Sequence, residues 1–282
     1  MTGPKKNTER ALIAALLLTA LPVACSAEPD SDAAAETADG FRQWTLPDRL
    51  REISGLALTD DERLLAVADE NAMVYEIDYT SGGLVKVFAF GRPVERGDFE
   101  GIAVLDGRVW LMTSDGDLYV GDEGGNGEQV AFERYETDIG KECELEGLVA
   151  DPVDQVLLLV CKDGRKKKRL RVHRWSPVDG NLDDFKLPEK DMEDAVGRKK
   201  VRPSGIAIDP DSGDLLVVTA GQYAIFRIDR DGELIDVIMR LDPRRHRQAE
   251  GIAITGDGRL LIADEGGKGR ARLAVYGAFD EE

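Results

Sequence analysis

Glu100, Glu146 and Glu250 each stand directly before a glycine, in "FEGIAV", "LEGLVA" and "AEGIAI". Carboxylates repeated in one local setting do chemistry together only if the fold gathers them, and gathering them is costly. Three ionised glutamates converging at about 6 Å repel by about 3 kcal/mol per pair at an effective dielectric near 20. A shared divalent cation relieves that, and an all-oxygen donor set favours Ca2+ or Mg2+ over zinc. Protonation of one glutamate relieves it too. A third outcome is structural, with each glutamate capping backbone N–H groups or pairing with an arginine of the next repeat. The sequence alone leaves the cation and the staple both open.

Basic residues form a second group. "KDGRKKKR" holds Lys166, Lys167 and Lys168, "GRKKVRP" holds Arg198, Lys199 and Lys200, and "DPRRHRQ" holds Arg244, Arg245 and Arg247. On a chain of net charge −18 these stretches are a candidate site for an anionic small molecule or an envelope protein partner. The alternative is solvated loops that balance the acidic ones. The same net charge argues against nucleic acid as a partner.

Other chemistry is thin. The two histidines are His173, which reads as a surface residue of a strand, and His246. No Gly-x-Ser-x-Gly stretch occurs, and Ser54 and Ser204 lack evident His or Asp partners. "EGGNGEQ" and "EGGKGRA" lack the Lys-Ser/Thr of a phosphate-binding loop and read as turns. No Cys/His spacing suits zinc. Nucleophilic catalysis is therefore poorly supported. Metal-assisted hydrolysis stays open, because a bound metal supplies both a water nucleophile and charge stabilisation.

The elements that must position these residues repeat. "ISGLAL" from Ile53 and "PSGIAI" from Pro203 join the three glutamate motifs. The residue before the glycine is Ser54, Glu100, Glu146, Ser204 and Glu250 in turn, at steps of 46, 46, 58 and 46 residues. After each copy come a Gly/Asp/Pro-rich turn, an apolar run such as "RLLAVADE" or "RVWLMTSD", and two more alternating segments. Four strands in about 46 residues is the size of one propeller blade. The expected fold is all-β, a five-bladed β-propeller of four-stranded blades over residues 41–282. The last unit ends after its third strand, and "FRQWTL" from Phe41 supplies the fourth. The N-terminal strand then closes the last blade and leaves no open sheet edge.

In such a blade the first strand lines the central channel. Glu100, Glu146 and Glu250 are expected near the channel mouth on one face, with Ser54 and Ser204 in the other two places. The loops carrying Asp69, Glu70, Asp115, Asp163, Asp264 and Glu265, and all three basic stretches, are expected on that same face.

Ahead of the propeller lies an address. Residues 1–24 read as a signal peptide, with Lys5, Lys6 and Arg10 before an apolar run too short to span a membrane. "LPVAC" resembles a bacterial lipobox, which makes Cys25 the lipidated residue; Pro22 departs from the usual leucine, and ordinary cleavage near Ala27 is the alternative. Residues 25–40 are acidic and low in large apolar residues, as a tether would be. The expected product is a monomeric lipoprotein, held to the membrane of the bacterial cell envelope by its lipid and facing the periplasm. There an oxidising compartment permits a bond between Cys143 and Cys161. Pairing Ala150 with Asp154 across "DPVD" sets the two cysteines opposite each other. Two buried free thiols are the other reading.

"ISGLAL", "DFEGIAV", "LEGLVA", "PSGIAI" and "QAEGIAI", in that order, resemble the SdiA-regulated domain family, bacterial envelope proteins similar to NHL-type and phytase-like propellers. The resemblance implies a propeller fold and an envelope location, and it brings no defined reaction. The leading expectation is a membrane-anchored, non-enzymatic binding or scaffolding module, with Ca2+ at the channel glutamates and a basic rim for an anionic partner. The alternative is a metal-dependent hydrolase of a phosphoester or lactone.

Overall fold

The structure, a computed structural model, describes residues 40–164 and 169–278. The signal peptide and Cys25 lie outside the described residues, as do Lys166, Lys167 and Lys168. Strand β1 (Arg42–Thr45) precedes blade 1, which is β2 (Ile53–Leu58), β3 (Leu64–Ala68), β4 (Asn71–Asp78) and β5 (Gly83–Phe90). Blade 2 holds β6 (Phe99–Leu105), β7 (Arg108–Thr113), β8 (Asp117–Asp122) and β10 (Phe132–Glu136). The short β9 (Gln129–Val130) runs parallel to β5. Blade 3 is β11 (Cys143–Asp151), β12 (Val156–Gly164), β13 (Arg171–Ser176) and β14 (Gly180–Lys186). Blade 4 is β15 (Gly205–Ile208), β16 (Leu215–Thr219), β17 (Ala224–Ile228) and β18 (Leu234–Arg240). Blade 5 is β19 (Ala249–Ile254), β20 (Arg259–Asp264) and β21 (Arg272–Ala278), and β1 pairs antiparallel with β21 as its fourth strand. The five-bladed propeller and its N-terminal closure are as the repeat predicts.

The 12 residues that lengthen the fourth repeat fold partly as helix α1 (Glu189–Val196). Pro188 precedes it, Glu189 and Asp191 complement the positive end of its dipole, and Gly197 ends it in the left-handed conformation at φ 66°. Met192 fastens it to the body and is fully buried.

The inner strands follow one another round the axis in the order β2, β6, β11, β15, β19 and back to β2. The repeated glycine allows this spacing. A Cβ on Gly55 would sit 3.1 Å from the Cα of Gly101, and one on Gly101 would sit 2.6 Å from the Cβ of Leu148. One on Gly251 would sit 2.7 Å from Leu56 Cγ, which closes the ring of close approaches. The core lies in the seams between blades. Phe88 and Phe90 of blade 1 pack against Phe99, Leu111 and Tyr119 of blade 2, and Trp44, Leu261 and Leu273 of blade 5 pack against Leu56, Leu64 and Tyr75 of blade 1. Burial of each such side chain contributes about 1.5–3 kcal/mol.

The Cys143–Cys161 disulfide forms, with the two Cα atoms 5.7 Å apart. The pairing around it differs from the sequence-based one. Ala150 faces Leu157, Cys143 faces Gly164, and Cys161 faces Leu145. The turn spans residues 152–155 between the paired Asp151 and Val156, and β11 carries two register shifts at Glu144/Leu145 and Leu145/Gly147. The bridge therefore runs diagonally across a bulged ladder. His173, expected at the surface, is instead buried beside the Cys143–Cys161 bridge, and its Nδ1 lies 3.8 Å from Asp184.

Candidate functional site

The glutamates owe their direction to a bulge. In β6, β11 and β19 the ladder skips between Phe99 and Gly101, Leu145 and Gly147, and Ala249 and Gly251. The skipped residues are Glu100, Glu146 and Glu250. A bulged residue leaves the ladder and its side chain is re-aimed. All three turn to the same place, and one oxygen from each carboxylate lies within 4.8 Å of the others. Glu146 is buried at 2% exposure, and Glu100 and Glu250 are half-buried.

Their partners are few. Lys162 Nζ, from the end of β12, sits on Glu146 Oε1 and lies 3.5 Å from Glu144. Gln248 Nε2 donates to Glu250 Oε1 at 2.9 Å and also to Glu265. The Glu100 carboxylate has no hydrogen-bond partner among the described residues. Burial, then the charges of Glu146 and Glu250, push the Glu100 carboxyl up to about 9. Burial raises Glu250 to about 8 against the Gln248 hydrogen bond, and raises Glu146 to about 7 against the Lys162 ammonium. Burial alone would lower Lys162, but its hydrogen bond to Glu146 and the surrounding carboxylates raise it above the ordinary lysine value.

The acidity extends outward. Asp69 is pushed up to about 6 by burial and by Glu52, Glu70, Asp98 and Glu265, and its Oδ1 is buried without a hydrogen-bond partner. Glu52, Asp69 and Glu70 line an adjacent cavity of about 310 Å3.

The two serines at the same repeat position behave differently. Ser54 Oγ donates to the carbonyl of Phe99 at 2.7 Å, and Ser204 Oγ donates to that of Ala249 at 2.6 Å. Each hydroxyl thus ties its blade to the next one, at the residue preceding a channel glutamate. The staple that the sequence allowed for the glutamates belongs to the serines. Among the described residues none of the three glutamates makes a hydrogen bond or ion pair to a neighbouring blade; their polar partners Lys162 and Gln248 come from their own repeats.

A divalent cation fits the donor set. Once ionised, three glutamates less one lysine carry two negative charges, and all the candidate ligands are oxygens. Gln248 and Asp98 were missed from sequence. Lys162 was visible only as the first residue of the basic "KDGRKKKR" stretch, and the bulge that brings β12 to face Glu146 is invisible in the residue pattern.

The described basic residues each have their own local surroundings. Arg198 donates to Gly221 O at 3.1 Å and lies 5.4 Å from the Tyr223 ring centre. Lys199 and Lys200 are exposed, and the Lys200 N–H donates to Glu193. Arg244 forks onto Asp242 at 2.8 Å. Arg245 stacks over Phe41 at 4.1 Å, and Arg247 is exposed.

At the opposite end the channel is apolar. Residues of all five inner strands, among them Leu58, Val104, Val149, Ile208 and Ile254, line a cavity of about 210 Å3. Among the described residues no helix is long and apolar enough to cross a membrane.

Taken together, a five-bladed propeller with an acidic upper channel mouth defines the class of this protein. Residues 186–276, blade 4 and most of blade 5, match the SdiA-regulated family model, and the resemblance read from the repeats is borne out there. No curated protein sequence matches the chain. Among solved structures it is similar to the glutaminyl cyclase of Myxococcus xanthus, at 14% identity over 85% of this chain and 96% of that one, with a TM-score of 0.56. It is also similar to a luciferin-regenerating enzyme, at 12% identity over 81% of this chain and 92% of that one, with a TM-score of 0.53. At these identities the likeness is one of fold.

Proposed function

We propose that this protein is an envelope-facing binding propeller that holds a divalent cation, Ca2+ in the first instance, at the upper mouth of its channel. The observation that carries the reading is the convergence of Glu100, Glu146 and Glu250, offset by a single lysine. Glu100 and Glu250 would supply the open ligand positions. Glu146, tied to Lys162, would hold the third, and Gln248 would orient Glu250. Bound there, the ion would neutralise the cluster, rigidify the blade junctions and offer its outer positions to an oxygen-bearing ligand. A lipid on Cys25 would keep the disk near the membrane.

Hydrolysis of a phosphoester or lactone is the second reading. It draws on the same cation and on the fold shared with two proteins whose names denote enzymes. It would need a water activated on that ion, so it fails wherever the cation fails.

Titration calorimetry with CaCl2 in two buffers of different ionisation enthalpy tests the proposal. Glu100 and Glu250 sit above pH 7 without metal, so binding at pH 7 should release protons. Affinity should rise with pH and drop in Glu250→Gln. Absence of calcium binding by the wild type, or equal binding by Glu250→Gln, would overturn it.

A further inference from the structure

The basic stretch before blade 5 converges with two arginines that the sequence did not single out. Arg245 and Arg247 meet Arg270 and Arg272 around a cavity of about 260 Å3 at the edge of blade 5. We propose that this cavity is a binding site for a phosphate group, taken as an inorganic or esterified dianion.

The four guanidinium groups are held by unlike means. Arg272 begins β21, between Thr45 of β1 and Asp264 of β20, so its direction is set by two flanking strands. Its Nη1 also reaches the Arg244 carbonyl at 3.5 Å. Arg245 is laid flat on the Phe41 ring. Arg270 lies 3.8 Å from Asp48, an exposed contact that holds it weakly. Arg247 is exposed and has no ion pair or hydrogen bond among the described residues.

The acidic residues in the wall already have partners of their own. Asp264 Oδ2 lies 2.8 Å from Nδ1 of the fully buried His246, whose Nε2 is 2.6 Å from the Tyr276 hydroxyl. A carboxylate only accepts, so Nδ1 donates to Asp264, and in that neutral tautomer Nε2 accepts from the tyrosine hydroxyl. The other Asp264 oxygen accepts from the Gln248 N–H at 3.3 Å, and Glu265 is held by the Gln248 amide. That buried chain fixes the 242–248 loop, and with it Arg245 and Arg247, against blade 5.

The charge balance selects the ligand class. Four arginines less Asp264 and Glu265 leave two positive charges in the cavity wall, and the exposed Asp48 outside it offsets Arg270 only weakly. One planar fork suffices for a carboxylate, whereas a phosphate presents three terminal oxygens and close to two charges, which suit several forks. The site does not rest on the cation proposal, although Gln248 touches both Glu250 and Glu265 and so adjoins both.

The test is titration of the folded protein with sodium phosphate in EDTA at constant ionic strength. Sodium chloride serves as the control, and Arg247→Gln, Arg272→Gln and, on the remote blade 2 where it pairs with Glu133, Arg108→Gln as variants. EDTA removes divalent cations, so the outcome is independent of the channel glutamates. The expected result is saturable binding of one phosphate, weakened about tenfold or more in Arg247→Gln and Arg272→Gln and unchanged in Arg108→Gln. Arg247 is exposed, so its variant remains informative if Arg272→Gln fails to fold. Phosphatidylcholine vesicles with and without phosphatidic acid separate the sources. Binding only to the phosphatidic acid vesicles assigns a lipid headgroup, and binding only to free phosphate assigns a soluble ester. Absence of both, equal response to chloride, or equal weakening by Arg108→Gln overturns the proposal.

Discussion

At the residue scale the channel glutamates give the protein a pH signature. Each takes up a proton in the folded state far above the ordinary carboxylate value of 4.5, with Glu146 near 7, Glu250 near 8 and Glu100 near 9. Between those limits the folded chain binds more protons than the unfolded one, so stability falls as pH rises. Their contribution is complete below about pH 4.5 and is lost as pH climbs through 7 to 9. Urea melts in EDTA from pH 5 to 9 should therefore show declining stability, and Glu100→Gln, which fixes the neutral shape, should flatten the decline. Stability rising with pH over that range would contradict the placement. Glu100, Glu146 and Glu250 were legible because a repeat marks equivalent positions. Lys162 was not, since its role depends on how β12 meets a bulge. His173 was misread because an isolated strand does not show which of its faces another layer covers.

At the element scale the same repeat position does two jobs. Where it is glutamate the bulge points into the channel, and where it is serine it fastens the seam. Ser204 also accepts the Ala220 N–H at 3.0 Å, so its loss leaves buried backbone groups unpaired. Ser204→Ala should cost about 1–3 kcal/mol in chemical denaturation and leave calcium affinity unchanged. A matching loss of calcium binding would mean that the serine belongs to the site. The disulfide closes a separation of 18 residues, and its reduction should cost about 3 kcal/mol on chain-entropy grounds. An unchanged denaturation midpoint after reduction would show that the β11–β12 hairpin already supplies that constraint. The cysteine pair was foreseeable from the hairpin. Its register was not, because nothing in "CELEGLVAD" announces two shifts in one strand.

At the scale of the whole molecule, spacing determined the architecture. Equal steps of 46 residues and a last unit lacking its fourth strand implied a closed ring, and β1 closes it. Trp44 of that strand is buried against Gly82 of blade 1, so the closure also locks blade 5 to blade 1. Trp44→Ala should cost about 3–5 kcal/mol. The difference between the two channel ends, acidic above and apolar below, follows from what each inner strand places before and after its glycine. Of the arginine cavity only Arg245 and Arg247 stood out in the sequence, because Arg270 and Arg272 come from a separate loop and a strand end that only the fold brings beside them.

The central claim is that the three glutamates share a cation, and thermal melts with excess CaCl2 and with EDTA test it most directly. The account predicts that calcium stabilises the wild type by RT ln(1 + [L]/Kd), about 2.7 kcal/mol at a hundredfold excess over Kd. Glu250→Gln should lose most of that gain while its stability in EDTA stays close to that of the wild type, since the substitution removes a buried, repelled carboxyl. A wild type whose melting temperature is the same in calcium and in EDTA would contradict the account.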